Sequence, residues 1–126
     1  MRLLLDTATL IYAVEAPARL SKRASVALRN TGNVLDLSAI SITEIAIKAS
    51  LGKLDITAAI ATQAIQDLDI RILAYTSEHA FRLFELPLHH SDPFDRQIIA
   101  QALVEKLPVV TPDEKFRQYS GLKIIW

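Results

Sequence analysis

A three-layer α/β/α sandwich around a mostly parallel sheet is the fold class this sequence predicts. Three observations predict it. Short apolar runs such as Leu3-Leu4-Leu5 and Val109-Val110 alternate with segments of helical periodicity, the arrangement that gives strands joined by helical crossovers. The first of these runs is apolar without interruption, as a strand covered on both faces must be. The chain has 126 residues, of which 51% are hydrophobic, enough for one domain that buries roughly two-thirds of its unfolded surface.

The elements follow in order. Leu3 to Leu5 is a buried strand ending at Asp6. Helical periodicity runs through Leu10, Ile11 and Val14 and stops before Pro17. Ser21 to Arg29 is a second helix, ended by Asn30-Thr31-Gly32-Asn33. Val34 to Ile40 is a strand, and Ser41 opens a helix that Leu51-Gly52-Lys53 closes with the expected glycine. Thr57 to Leu68 is helical, Ile70 to Ala74 a strand, Ser77 to Leu86 helical, and Pro87 to Pro93 a loop. Phe94 to Lys106 is a strong helix with Ile98, Ile99, Ala102 and Leu103 on one side. Val109-Val110 is a strand, Pro112 to Tyr119 a short helix, and Lys123 to Ile125 the last strand. No repeat or linker divides the chain, so residues 1–126 read as a single domain.

The formal net charge is zero, which argues against holding nucleic acid by bulk positive charge, though a basic rim around an acidic site remains compatible. Cysteine is absent, so disulfides and thiolate zinc sites are excluded. The apolar run after Met1-Arg2 is too short for a signal peptide, and no stretch approaches a bilayer span. The expectation is a cytoplasmic protein with no membrane partner.

Four acids share one kind of position. Asp6, Glu44 and Asp113 each follow a predicted strand at the start of the next helix, and Asp95 opens the helix after the Pro87–Pro93 loop. Strand-to-helix turns of a parallel sheet lie together at the carboxyl ends of its strands, where such folds place their sites. Each acid also has a structural explanation. Ser41-Ile42-Thr43-Glu44 and Thr111-Pro112-Asp113-Glu114 match the capping box. Asp92-Pro93-Phe94-Asp95 places an N-cap, a proline at the first helical position and an acid in the first turn. Asp6 has the position of a cap as well. Capping, however, does not require an acid directly after a buried strand. Convergent carboxylates repel unless a cation joins them, and hard oxygen ligands point to Mg²⁺ or Mn²⁺. Such ions activate water toward a phosphodiester. Asp6 and Asp95 are the candidate direct ligands, with Glu44 and Asp113 holding waters or a second ion.

The pattern Leu4-Leu5-Asp6-Thr7, Ser41-x-x-Glu44-Ile45, Asp92-Pro93-Phe94-Asp95-Arg96-x-Ile98-Ile99-Ala100-x-Ala102 and Val110-Thr111-x-Asp113-x-x-Phe116 resembles a PIN domain, and more narrowly the VapC toxins of bacterial type II toxin–antitoxin modules. The resemblance covers the whole chain, and the Asp-Pro-Phe-Asp-Arg block is its most specific piece. It implies a PIN-like α/β/α sandwich and a Mg²⁺- or Mn²⁺-dependent endoribonuclease with Asp6, Glu44, Asp95 and Asp113 as its acids. Thr111 matches the family's hydroxyl beside the last acid, and Thr7 adjoins the first. It further implies a VapB-like antitoxin partner, a homodimer, and contact with promoter DNA through the antitoxin alone. Many relatives carry asparagine or histidine at the position of Ala8, a departure that bears on substrate positioning.

His89 and His90, in a proline-flanked loop, read as solvated. Lys48 pairs with Glu44 at helical spacing and is, with Arg96, a candidate phosphate contact; Lys53, Lys115 and Arg117 extend a possible basic rim. Surplus apolar residues on the Leu10–Val14 and Ser21–Arg29 helices suggest a patch for an antitoxin segment or a second copy. The rival functions are a phosphotransfer receiver, a haloacid-dehalogenase-like phosphatase and a catalytically inactive PIN-like binding domain. A receiver wants an acidic pair after the first strand, where Asp6 stands alone. The phosphatase wants a second aspartate at position 8, where this chain has Ala8.

Overall fold

The computed structural model describes Met1–Trp126. Its centre is a five-stranded sheet in the order β3-β2-β1-β4-β5, and every neighbouring pair is parallel. The strands are β1 (Arg2–Leu5), β2 (Val34–Ser38), β3 (Ile70–Leu73), β4 (Val109–Val110) and β5 (Ile124–Ile125). Leu3 pairs with Leu35 and Leu5 with Leu37 on one side of β1, and Leu5 pairs with Val110 on the other.

Six α-helices cover the sheet: α1 (Thr7–Glu15), α2 (Lys22–Arg29), α3 (Ala39–Ser50), α4 (Ala58–Asp67), α5 (Ser77–Arg82) and α6 (Pro93–Glu105). Leu3, Leu4 and Leu5 are fully buried, as an uninterrupted apolar strand requires. The pleat sends them to opposite faces. Leu3 and Leu5 join Leu10, Ala24, Leu35, Leu37 and Ile45 in one core, while Leu4 joins Ile98, Ile99, Ala102, Val109 and Phe116 in the other. The two cores make the predicted three layers.

One charged side chain is buried inside the sheet. Asp36 of β2 is held by Arg2 of β1 at 2.6 Å and Arg71 of β3 at 3.1 Å, so its charge is paired from both neighbouring strands.

The boundaries correct several sequence expectations. β2 ends at Ser38, whose hydroxyl accepts from the Ile40 N–H and caps α3; Ser41 does not open that helix but lies buried within it. The helix expected over Ser77–Leu86 tightens after Arg82 into a 3-10 turn, Leu83–Glu85, and the one expected over Pro112–Tyr119 is a 3-10 turn over Glu114–Gln118. α6 begins at Pro93, one residue before the expected Phe94, and Asp92 caps it as the Asp92-Pro93 pattern predicts.

The apolar surplus lies in part on the expected Leu10–Val14 helix, where Ala13 and Val14 line a shallow groove with Ile60, Ala64 and Leu68 of α4 and the residue after it. On α2 the exposed large hydrophobic residue is Val26. A further groove of about 280 Å³ runs between α3 and α4, lined by Leu10 of α1 with Ile42, Ala46, Ala49, Ala61 and Ile65. A second patch, Phe81, Phe84 and Leu88, projects from α5 and the segment after it, with the two phenyl rings stacked at 6.1 Å. No helix is long and apolar enough to cross a membrane.

Candidate functional site

The chain leaves β1 for β2 and β3 on one side, then returns to β4 and β5 on the other. The strand order therefore reverses at β1, and the crevice beyond the carboxyl ends of β1 and β4 is where an open parallel sheet places a ligand. Asp6 is the first residue after β1, Asp113 lies three residues beyond β4, Glu44 is on α3 after β2, and Asp95 is in the first turn of α6. The structure brings these four together, with Asp92 as a fifth carboxylate.

Asp6 is the most enclosed, 2% exposed. It caps α1, its Oδ1 accepting from the Thr9 N–H at 2.8 Å. The Thr9 hydroxyl lies 2.6 Å from the same oxygen and 2.8 Å from the Val110 carbonyl, so one hydrogen serves two acceptors in turn. Thr111 Oγ1 donates to Asp6 Oδ2 at 2.5 Å and accepts from the Asp113 N–H at 3.0 Å, tying the first acid to the last. Burial pushes the Asp6 carboxyl up to about 6; the hydrogen bonds from Thr111 and Thr9 oppose the rise, and the Asp113 charge adds to it.

Asp95 is perturbed further. Burial, followed by the charges of Asp92, Asp6, Glu44 and Asp113, pushes it up to about 8. Desolvation is the larger cause, and the four neighbouring carboxylates add to it because like charges close together disfavour ionisation.

Glu44 is buried, and the capping-box explanation for it fails. Ser38 caps α3, so Glu44 belongs to the helix interior. Its Oε2 accepts from Lys48 Nζ at 2.6 Å, while Oε1 is buried with no hydrogen-bond partner. An orphaned carboxylate oxygen beside a cluster of acids, together with the Asp95 perturbation, is a donor set that fits a hard divalent cation. The Glu44 hydrogen bond raises the Lys48 pKa against the opposing effect of burial, with the charges of Glu44, Asp92 and Asp95 contributing.

Asp113 keeps a capping role, its Oδ1 accepting from the Lys115 N–H at 2.9 Å. Its Oδ2 is engaged separately, 2.7 Å from His90 Nε2. The expectation of a solvated His90 is wrong: the residue is 5% exposed and lies 3.1 Å from Asp95 Oδ2 as well. His89 is exposed, as expected.

Arg96 is engaged by its own chain. Its guanidinium donates to the carbonyls of Leu86, Pro87 and His90 at 3.0–3.3 Å, so it fastens the loop that carries His90. Thr7 adjoins Asp6 in sequence, but its hydroxyl donates to Ser41 Oγ at 2.9 Å, joining α1 to α3. The sequence reading missed Thr9, whose signal was its position three residues into the helix that Asp6 caps. It also missed Gln101, which is fully buried, accepts from Ser38 Oγ and donates to the Ala74 carbonyl. Gln101 thereby links α6 to the cap of α3, and so the helix of Asp95 to that of Glu44.

The family model for the PIN domain matches residues 3–122. No curated protein matches the sequence. Among solved structures, the chain resembles VapBC2 from Rickettsia felis bound to a promoter DNA fragment, with a TM-score of 0.74, 18% identity, and 98% and 97% of the two chains covered. It resembles DNA-bound VapBC from Salmonella typhimurium with a TM-score of 0.69 at 18% identity, covering 98% and 96%. FitAcB from Neisseria gonorrhoeae gives a TM-score of 0.62 at 19% identity, covering 98% and 96%. At these identities the likeness is one of fold.

Proposed function

The chain belongs to the PIN domain family, and on that premise we propose that it is a Mg²⁺- or Mn²⁺-dependent endoribonuclease, the toxin of a type II toxin–antitoxin module. The observation that carries the proposal is the convergence of Asp6, Glu44, Asp95 and Asp113 from four separate elements, with Asp95 pushed up to about 8 and Glu44 Oε1 buried without a partner.

Asp6 and Asp95 are the direct ligands in this reading, and Glu44 and Asp113 complete the set. A divalent ion held by these residues would offset the carboxylate charges and supply a Lewis acid toward a phosphoryl oxygen and water. The chain's own residues do the positioning. Thr9 and Thr111 fix both oxygens of Asp6, so that acid is oriented before substrate arrives. Lys48 holds Oε2 of Glu44 and leaves Oε1 for the site. Lys48 is 40% exposed, which lets the same ammonium meet an approaching phosphate. Ala8 contributes no polar group, and substrate orientation falls to residues around the crevice.

The partner is a VapB-like antitoxin. The solved structures it resembles include VapBC and FitAB complexes, some of them bound to DNA, and in this reading promoter DNA is reached through the antitoxin. The apolar groove between α3 and α4 suits a short amphipathic segment of that partner, and the Phe81–Phe84–Leu88 patch suits a second copy of this chain.

Expression of the chain with and without the product of any short open reading frame adjoining its gene tests the proposal. Growth arrest with new RNA ends, relieved by the neighbouring protein, supports it. Normal growth with unaltered RNA at verified expression would overturn it.

A further inference from the structure

His90 lies between the Leu83–Glu85 turn and α6, and its ring is held on several sides. Its Nδ1 accepts from the Asp92 N–H at 3.1 Å. The ring packs edge-on against Phe116 with centroids 5.8 Å apart, and its backbone N–H donates to the Tyr119 hydroxyl at 2.9 Å. A ring nitrogen that accepts a hydrogen bond carries a lone pair, so the hydrogen is on Nε2. Nε2 faces two carboxylates, Asp113 Oδ2 at 2.7 Å and Asp95 Oδ2 at 3.1 Å.

These three atoms lie within 4.8 Å of one another, which invites a reading of His90 as a metal ligand. The tautomer argues against it. A ligating histidine offers a lone pair to the metal and donates from its other nitrogen. Here the nitrogen facing the acids bears the hydrogen, and the other faces a backbone donor that cannot become an acceptor. His90 thus stands between two acids with the polarity of a cation. A divalent cation held by both Oδ2 atoms would compete with the Nε2 hydrogen for the same oxygens.

We infer that His90 is a positioning residue that holds Asp95 and Asp113 together in the metal-free protein and gives up these hydrogen bonds when a divalent cation takes the two oxygens. The inference rests on the metal-site reading above and deepens it. With the donor present, the metal-free crevice keeps its shape. With the donor removed, the metal-free protein loses more than the loaded one, and by linkage the cation binds more tightly.

The full chain provides the test, with two variants. His90→Phe keeps a ring against Phe116 and removes the donor; His90→Gln keeps an amide donor. Mn²⁺ affinity is measured by calorimetry, and Tm in EDTA and at saturating Mn²⁺. The expected result for His90→Phe is Mn²⁺ binding tighter by about tenfold, the order of one charge-assisted hydrogen bond, and a Tm loss larger in EDTA than with Mn²⁺. His90→Gln falls between that variant and the parent chain. Histidine ¹H–¹⁵N spectra of the unaltered protein add a second readout. The Nε2–H signal of His90 should move on Mg²⁺ addition while that of His79 stays. His79 Nδ1 likewise accepts from a backbone N–H, that of Thr76, but its ring faces Glu105 and Gln101. Weaker Mn²⁺ binding in His90→Phe, or a Tm loss equal in both conditions, overturns the exchange and leaves the metal site standing. If His90→Phe does not fold, an unmoved His90 signal at saturating Mg²⁺ overturns it. Failure of the unaltered chain to bind either ion overturns the metal site and this inference together.

Discussion

Thr111 and Asp6 are 105 residues apart in sequence and joined by a 2.5 Å hydrogen bond from hydroxyl to carboxylate. The bond crosses from the end of β4 to the end of β1, the point where the strand order reverses. It also lowers the Asp6 pKa against the effect of burial.

Thr111→Val should therefore raise Asp6 above about 6 and leave a larger fraction of it protonated at neutral pH. Losing a buried bond to a charged group costs about 1.5–3 kcal/mol. Activity should fall at pH 7 and recover in part as pH rises. A carboxyl ¹³C titration checks the direction of the shift, and an Asp6 value at or below that of the parent chain would contradict it.

The metal-free protein should lose stability as pH rises. Asp6 and Asp95 are raised to about 6 and about 8 in the fold, from 3.8. Between 3.8 and those values the folded chain keeps protons that the unfolded chain has released. The contribution of these two acids thus declines from pH 4 upward, through about 6 for Asp6 and about 8 for Asp95, and then levels. In EDTA, Tm should fall between pH 6 and 8, and Asp95→Asn should flatten that slope. Saturating Mg²⁺ should reduce it in the parent chain.

Glu44→Gln should abolish most cleavage with little effect on folding. Glu44 does not cap α3, and glutamine keeps its shape and can still accept from Lys48. Cleavage lost by two orders of magnitude or more, with Tm nearly unchanged, is the expected result. A large Tm loss with cleavage retained would return Glu44 to a structural role.

Arg96→Gln separates a loop staple from a phosphate contact. The guanidinium is occupied by three loop carbonyls. Hydrogen exchange in residues 86–90 should accelerate, while the salt dependence of RNA binding stays as it was. A phosphate contact would instead reduce the salt slope by about one unit.

The fold was legible because β1 and the strong helix α6 carry unambiguous periods, and alternation then dictates a parallel sheet. Boundaries were less legible where one residue type fits two roles. Ser38 and Ser41 are both acceptable caps, and only packing against Thr7 and Gln101 selects Ser38. The acids could be gathered at one edge from their places after strands. Their electrostatic coupling could not be read, because it depends on how deeply Asp95 is enclosed. His90 was misread for a related reason: loop residues have no period, so its burial against Phe116 and Tyr119 leaves no trace in the local sequence. Arg96 beside Asp95 looked available to substrate, since no local rule reveals that the preceding loop folds back onto it.

Cleavage of RNA by the purified chain, assayed in Mg²⁺ and in EDTA beside Asp95→Asn from the same preparation, tests the central claim most directly. The account predicts cutting by the unaltered chain in Mg²⁺, none in EDTA, and none by the folded variant under either condition. Cutting that survives EDTA, or a folded Asp95→Asn that cuts at the parental rate, would contradict a metal centre built on these carboxylates.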